Sequence, residues 1–463
     1  MGRFEDFLTQ NRLKLWMVDN TSSYRRDISS LYREMLRLEG SSIDEIAAYQ
    51  QAKLRLLLTS AATTPYYQGV LSDLAINPKQ FRLSDLSTLP FLTKDIIQRR
   101  EGDLLVAGAT GRYENYSGGS TGVPIRFHQD YRYRVAMSAV TRRSNELAGA
   151  FPGARVAKLW GAPQDRRQIE GWRGKGRLWL LNMRYFDSFD MSPERMESYH
   201  RTMEKFQPDL IQGYASSAYL MARYLRERGI RPSYPRKSII TAAEKLLPHM
   251  RTEIEEVFGV PVFDRYGSRE ISAMAAECGC HSGMHIQMPG YIVETIDAAT
   301  GQAVEEQPGE IAVTVLNNFA MPFIRYRIGD LGVLTRDRCE CGNSYYRLRE
   351  IVGRTSDNFL LPDGRIVHGE YFTHIFYGRD EIKQFQFVQE TREKYTLRLV
   401  PGKGYHEGIA AEVEREIRRM IGGFSVLEIE LRDEIPKTSS GKFRFTVSNI
   451  PVAELVGART GSP

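Results

Sequence analysis

The chain is 463 residues long and carries 63 Lys and Arg against 57 Asp and Glu, a formal net charge of +6. That length allows two or three domains around a substantial core, and so small and scattered a basic excess argues against a nucleic-acid partner. No apolar run approaches the ~18 residues of a membrane-spanning helix, so no membrane partner is expected. The N-terminal MGRFEDFLTQNRLKLW mixes both charge signs and has no apolar signal core, so the expected location is cytoplasmic.

In chain order, residues 28–59 read as helical, with Leu31, Met35 and Leu38 at spacings of three and four. The stretch YSGGSTGVPIRF (116–127) is a glycine-rich loop running into residues that alternate like a strand. EEVFGVPVFDRYG reads as a helix end, a glycine turn and a short strand. YIVETID and GEIAVTVLNN read as strands, and GIAAEVEREIRRMI (408–421) as an amphipathic helix. A boundary is marked near VGRTSDNFLLPDG (352–364), where Gly-Arg and Asp-Gly interrupt the strand patterns. The chain as a whole reads as mixed α/β.

The loop Ser117, Gly118, Gly119, Ser120, Thr121, Gly122 can present converging backbone N–H groups and hydroxyls to an anion. It can equally be a surface turn. It is not a Walker loop, because no Gly-Lys-Ser/Thr closes it. The nearest basic residue is Arg126, which either supplies a charge or alternates away from the loop.

All four cysteines fall in two C-x-C pairs, Cys278/Cys280 and Cys339/Cys341. Disulfides are not expected in a cytosolic chain. With His281 and His285 beside the first pair, the cluster reads either as one tetrahedral zinc site or as reduced structural thiols. The preferred donors are Cys278 or Cys280, with His285, Cys339 and Cys341. A closed sulfur-rich site would make the metal structural.

Four later stretches follow the glycine loop in fixed order: DRYGSRE (264–270), IRYRIGDLGVL (324–334), LREIVGRTSDNFL (348–360) and PKTSSGKFRF (436–445). The series resembles the motifs of the adenylate-forming superfamily of acyl-CoA synthetases, most closely the phenylacetate–CoA ligase family and its CapK-type capsular polysaccharide branch. The likeness runs from about residue 60 to about 446. It implies a large N-terminal α/β domain that binds AMP (1–353) and a small, mobile α+β C-terminal domain (354–463). It implies an ATP- and Mg²⁺-dependent ligase that makes an acyl-adenylate from a small carboxylic acid, releases pyrophosphate and passes the acyl group to coenzyme A. The alternatives are an amine acceptor, giving an amide, or a non-catalytic acyl- or nucleotide-binding protein. A monomer or a homodimer is expected.

The resemblance assigns the glycine loop to the phosphates of ATP, with Val123 where relatives often carry Lys. Tyr266 and Gly267 fall in the YGxTE-like motif, the tyrosine against adenine. Glu270 matches the residue that helps hold Mg²⁺, and Arg269 replaces a small hydroxyl residue near the α-phosphate. Ala242, Ala243 and Glu244 match the segment lining the adenine pocket. Asp330 matches the ribose carboxylate and Arg354 a second ribose or phosphate contact. Lys442 matches the lysine that reaches the reacting carboxylate and α-phosphate. The acyl pocket is expected at Trp160, Gly161, Tyr214 and Ala215. Relatives often show a similar Cys/His pattern. Ser356 stands where the family has its hinge Asp, which leaves the swing of the small domain, and so the acceptor, open.

Overall fold

The computed structural model describes residues 23–450 except 110, 118–124, 161–170, 189–190, 355–357, 364–365, 369–371, 373–374, 377–378, 380, 423–424 and 437–443. Two helices, α1 (Ser23–Glu39) and α2 (Ile43–Ala61), take the place of the continuous helix expected over 28–59. The break has a local cause. Ser42 caps α2, accepting from Glu45 N at 3.3 Å, while Glu45 accepts from Ser42 N at 3.1 Å. This reciprocal cap satisfies donors that a helix start otherwise leaves bare, so a new start competes with continuation. Next come α3 (Pro65–Asp73), α4 (Lys94–Arg100), the hairpin β1 (Tyr113–Tyr116) and β2 (Arg126–Gln129), and α5 (Tyr131–Leu147).

A doubly wound half follows. Strands β3 (Val156–Leu159), β4 (Met183–Phe186), β5 (Leu210–Tyr214), β6 (Ser238–Ala242) and β7 (Val262–Ser268) are parallel. They alternate with α6 (Gly171–Leu180), α7 (Pro193–Phe206), α8 (Ala215–Glu227) and α9 (Pro248–Phe258). At the end of α9, Gly259 takes φ 67°, the left-handed turn that lets the chain reverse into β7, as the sequence pattern suggested. Antiparallel strands continue the sheet: β8 (Ser272–Glu277), β9 (Met284–Ile286), β10 (Tyr291–Ile296), β11 (Gly309–Val315), β12 (Tyr326–Thr335) and β13 (Arg347–Arg354). The order across all eleven strands is β10-β11-β12-β13-β9-β8-β7-β6-β5-β3-β4.

Two cores cover this sheet. One joins α1, α2 and α3 to α5 and the antiparallel strands; Met35, Leu54, Leu58, Ala139, Met274 and Ile311 belong to it. The other packs α7, α8 and α9 on the parallel strands through Met203, Met221, Leu225, Ile254, Ile211 and Ile239.

After β13 come the short pair β14 (Asn358–Leu360) and β15 (Ile366–His368). A four-stranded sheet follows, built from β16 (Ile382–Gln389), β17 (Lys394–Pro401), β18 (Val426–Leu431) and β19 (Thr446–Ser448), with α10 (Glu407–Ile421) against it. Its separate core is aromatic, with Phe372, Phe385, Phe387 and Tyr395 packed under Val413, Ile417 and Ile421 of α10. The chain is therefore a large α/β body with a small α+β unit, the class expected. Among the described residues, no helix is long and apolar enough to cross a membrane.

Candidate functional site

In a parallel sheet, ligands gather at the carboxyl ends of the strands, where side chains leave the hydrogen-bond ladder. Trp160, Tyr214, Ala242 and Arg265 stand at those ends of β3, β5, β6 and β7; Tyr214 and Ala242 are register partners, as are Ala242 and Arg265. The rings of Trp160 and Tyr214 lie 4.6 Å apart. Ala215 opens α8 and is fully buried.

Just past β6, Ala243 adopts φ 68°. This left-handed step, uncommon for a residue with a side chain, turns the segment so that Glu244 accepts from Ser216 N at 2.9 Å. A carboxylate thus caps α8 from another loop, at the end where bare N–H groups and the helix dipole favour negative charge.

At the end of β7, Gly267 passes so close to the next strand that an added Cβ would lie 1.6 Å from Ser272 O. Only glycine fits, which explains that residue of the YGSRE stretch. The turn beyond is held by Tyr133 Oη, which donates to Glu270 O at 3.1 Å, and by Gln129 Nε2, which donates to Arg269 O at 3.0 Å. Glu270 is buried. Tyr266 Oη donates to Asp330 Oδ2 at 2.6 Å. Asp330 lies within β12, and Gly329 has φ 83°. Arg354 is the register partner of Asp330.

The glycine loop is closed at its base, Ser117 N donating to Ile125 O at 3.0 Å and Ile125 N to Ser117 Oγ at 2.9 Å. Arg126 pairs instead with Glu101 at 2.8 Å, and His128 Nε2 lies 3.0 Å from the same carboxylate. Alternation thus commits Arg126 to Glu101. The expected site residues Gly118, Gly119, Ser120, Thr121, Gly122, Gly161 and Lys442, and the hinge position Ser356, lie outside the described residues.

Of the five thiol and imidazole donors expected for zinc, four converge. The ligand atoms of Cys278, His285, Cys339 and Cys341 all lie within 4.8 Å of one another, and Cys280 stays exposed outside the group. A tetrahedral zinc with Zn–S bonds of ~2.3 Å holds two sulfurs about 3.8 Å apart and a sulfur and a nitrogen about 3.5 Å apart. Cys278 Sγ and Cys339 Sγ are 3.7 Å apart, and Cys341 Sγ and His285 Nε2 are 3.3 Å apart. Burial pushes His285 down to about 4, so its imidazole is neutral and able to ligate near pH 7. Burial also pushes the Cys278 thiol up, whereas at Cys339 the opposing hydrogen bonds from Cys341, Ser282 and Cys278 outweigh burial and bring it down to about 7. His285 Nδ1 faces Tyr345 O at 3.4 Å, on the side away from Cys341. The residues fit a metal of this class.

One network carried no sequence signal, because its partners are scattered along the chain. Glu277, next to Cys278, accepts two bonds from Arg251 Nη2 at 2.8 and 2.9 Å and one from Asp264 N at 2.8 Å. Asp264 Oδ1 in turn accepts from Thr241 Oγ1 at 2.9 Å. The cysteine cluster is thereby tied to the segment that carries Ala242, Ala243 and Glu244. Burial, and then the charge of Glu277, raises Asp264 to about 7.

Known proteins resemble this chain in sequence and in fold. Residues 359–449 match the CapK C-terminal domain. Protein CapK of Staphylococcus aureus is 22% identical over 460 residues, 96% of this chain and 97% of that protein. A phenylacetate–coenzyme A ligase of Thermus thermophilus is 28% identical over 402 residues, 84% of this chain and 87% of that one. The crystal structure of a 2-hydroxyisobutyryl-CoA ligase, in the postadenylation state with R3-HIB-AMP, superposes with a TM-score of 0.70 at 20% identity, covering 92% and 93% of the two chains. Residues 359–449 thus match a CapK C-terminal domain, and over most of its length the chain is similar to CapK and to phenylacetate–coenzyme A ligases and shares the fold of an acyl-CoA ligase.

Proposed function

We propose that the protein activates a small carboxylic acid with ATP and Mg²⁺, releases pyrophosphate and transfers the acyl group to the thiol of coenzyme A. The observation that carries this reading is the Tyr266–Asp330 bond of 2.6 Å, which sets an aromatic face and an anionic acceptor side by side at the carboxyl end of the parallel strands. An adenine ring takes the face and ribose hydroxyls the acceptor. Ala242, Ala243 and Glu244 border the same end, with Arg354 beside Asp330 as a second ribose or phosphate contact.

The chemistry is a problem of like charges, a carboxylate attacking an α-phosphate. Mg²⁺ offsets that repulsion, and Glu270 is the carboxylate assigned to it. Arg269 stands next to it and offers a planar cation for the α-phosphate. The glycine loop from Ser117 to Gly122 and Lys442 complete the assignment, the loop for the outer phosphates and the lysine for the reacting oxygens. Trp160, Gly161, Tyr214 and Ala215 are assigned to the acid. The Cys278, His285, Cys339, Cys341 group is assigned to structural zinc, since four protein donors leave no position open for chemistry.

The deciding experiment is acid-dependent pyrophosphate release over a panel of carboxylic acids, with and without coenzyme A. The expected result is release with ATP and one class of acid, and a thioester when coenzyme A is added. Adenylate formation without thioester, and amide when amines are added, would move the acceptor to an amine. Nucleotide binding without pyrophosphate release under any acid would overturn the enzyme reading.

A further inference from the structure

Strand alternation sends neighbouring residues of β7 to opposite faces of the sheet. Tyr266 leaves on the face where it meets Asp330, and Arg265 leaves on the other. Register sets Arg265 beside Ala242 of β6, and Ala242 beside Tyr214 of β5, whose ring packs on Trp160. On its other flank Arg265 is paired with Ala276 of β8. The arginine thus shares a row with Tyr214, one of the aromatic pair assigned to the acid, and is turned away from the tyrosine assigned to adenine. Both of its neighbours in the row are alanines, whose methyl groups have no atom to bond a guanidinium.

Among the described residues, no carboxylate pairs with this guanidinium. Arg265 is half-buried, and its Nη1 is buried without a hydrogen-bond partner. Its main-chain N–H donates to Asp264 Oδ1, but that carboxylate leaves on the opposite face, where it also accepts from Thr241 Oγ1. Glu244, on the loop after β6, is held by Ser216 N. Other buried or half-buried arginines of the large body are matched by carboxylates: Arg143 by Glu39, Arg251 by Glu277, Arg325 by Glu294 and Arg327 by Glu310. Burial lowers the Arg265 guanidinium to about 10, opposed by the charge of Asp264, which leaves it protonated near pH 7. A desolvated cation without a partner is costly, and such a group is kept where a ligand supplies the missing charge.

We propose that the acid activated here is a dicarboxylic acid, of which one carboxylate reacts with ATP and the second is bound by Arg265. This rests on the ligase reading above and deepens it. The planar guanidinium presents paired N–H donors that match the two oxygens of a carboxylate. Tyr214, in the same row, and Trp160 against it flank the carbon skeleton between the two carboxylates. A monocarboxylic acid of the same skeleton would bury the cation further with no anion to meet it. A site built around a polar group rejects the analogue lacking that group far more strongly than an apolar pocket rejects a missing methylene.

The test uses the full chain and acids matched in skeleton: butanoate against succinate, hexanoate against adipate, benzoate against terephthalate. Acid-dependent pyrophosphate release gives kcat/KM for each, and calorimetric titration of the same acids gives binding without turnover. One diacid is expected to exceed its parent in kcat/KM by on the order of tenfold or more. Arg265→Met should bring that ratio toward one with the KM for ATP unchanged, while Arg265→Lys retains part of the preference. A monoacid as the best substrate of the unaltered protein overturns the inference without any variant. So does a diacid preference that survives Arg265→Met, or a loss in that variant confined to the KM for ATP, which would make Arg265 a phosphate contact. All three outcomes leave the ligase reading intact. If no acid supports pyrophosphate release, the ligase reading falls and the titration decides the rest: diacid binding that is lost in Arg265→Met upholds a carboxylate site at Arg265, and an absence of diacid binding overturns it.

Discussion

Tyr266 and Asp330 share a hydrogen bond of 2.6 Å although they are 64 residues apart and three strands, β8, β9 and β13, lie between theirs in the sheet. The sheet must therefore curl at this end, and β9, only three residues long, lies among the three intervening strands. The curl brings the end of the parallel half against the antiparallel half, and the nucleotide assignment rests on that meeting.

Asp330→Ala is expected to weaken ATP more than acid. Charge-assisted hydrogen bonds contribute ~1.5–3 kcal/mol, which is on the order of tenfold to a hundredfold in affinity. Tyr266→Phe keeps the ring and removes its hydrogen bond to Asp330, so its effect on the KM for ATP should be smaller. Steady-state kinetics with each substrate varied in turn measures both. An unchanged KM for ATP in Asp330→Ala would refute the ribose assignment.

The cysteine cluster predicts one zinc per chain and a sharp division among the thiols. Cys339→Ser removes a donor that lies among three others and should drop metal content well below one per chain, with a lower melting temperature. Cys280→Ser changes an exposed thiol outside the group and should leave metal content and melting unchanged. Elemental analysis of protein purified without chelators, beside thermal melts, checks this. Equal metal loss in both variants would place the ion elsewhere.

The motifs were legible because each is a short run whose spacing is local: the glycine loop, YGSRE, RIGDL, and the two C-x-C pairs. The helix end and turn at Gly259 were legible for the same reason. The break between α1 and α2 was not, since it turns on a reciprocal cap that competes with an unbroken apolar stripe. The choice of Cys278 over Cys280 was equally hidden, because two thiols two residues apart differ only in which one the β8–β9 hairpin turns inward. Arg126 could not be assigned from sequence, as its partner Glu101 lies 25 residues away. The network of Arg251, Glu277, Asp264 and Thr241 was the least accessible, since it exists only when α9, β6, β7 and β8 are already assembled.

Lys442→Ala should separate the two half-reactions. A lysine assigned to the reacting oxygens acts while the carboxylate attacks phosphorus and negative charge concentrates there. Losing one such electrostatic contact costs on the order of a hundredfold or more in rate. Thiol attack on the finished acyl-adenylate occurs at carbon and does not need that charge. The variant is expected to lose acid-dependent pyrophosphate exchange yet still convert synthetic acyl-adenylate in the presence of its acceptor. An equal fall in both steps, in a folded variant, would make Lys442 a structural residue.

Asp264 gives a pH dependence whose sign can be worked out. Its carboxyl is raised from 3.8 to about 7 by burial and by the charge of Glu277, so between those values the folded protein binds a proton that the unfolded chain does not. Unfolding therefore releases a proton in that window, and stability falls as pH rises through it, the contribution being complete below the unfolded value and lost above about 7. Asp264→Asn removes the titration and keeps an oxygen for Thr241 and for Arg265 N, both of which bond Oδ1 in the native protein. Near pH 5 the native carboxyl is protonated and nearly isosteric with the amide, so the two proteins should melt together. At pH 8 the native protein holds a half-buried negative charge facing Glu277, and the variant should melt higher by on the order of a few degrees. Thermal melts from pH 5 to 8, read as the difference between the two proteins, cancel the titration of every other group. A constant difference across that range, or a variant that loses ground as pH rises, would show that Asp264 is ionised throughout and that Arg251 rather than burial governs it.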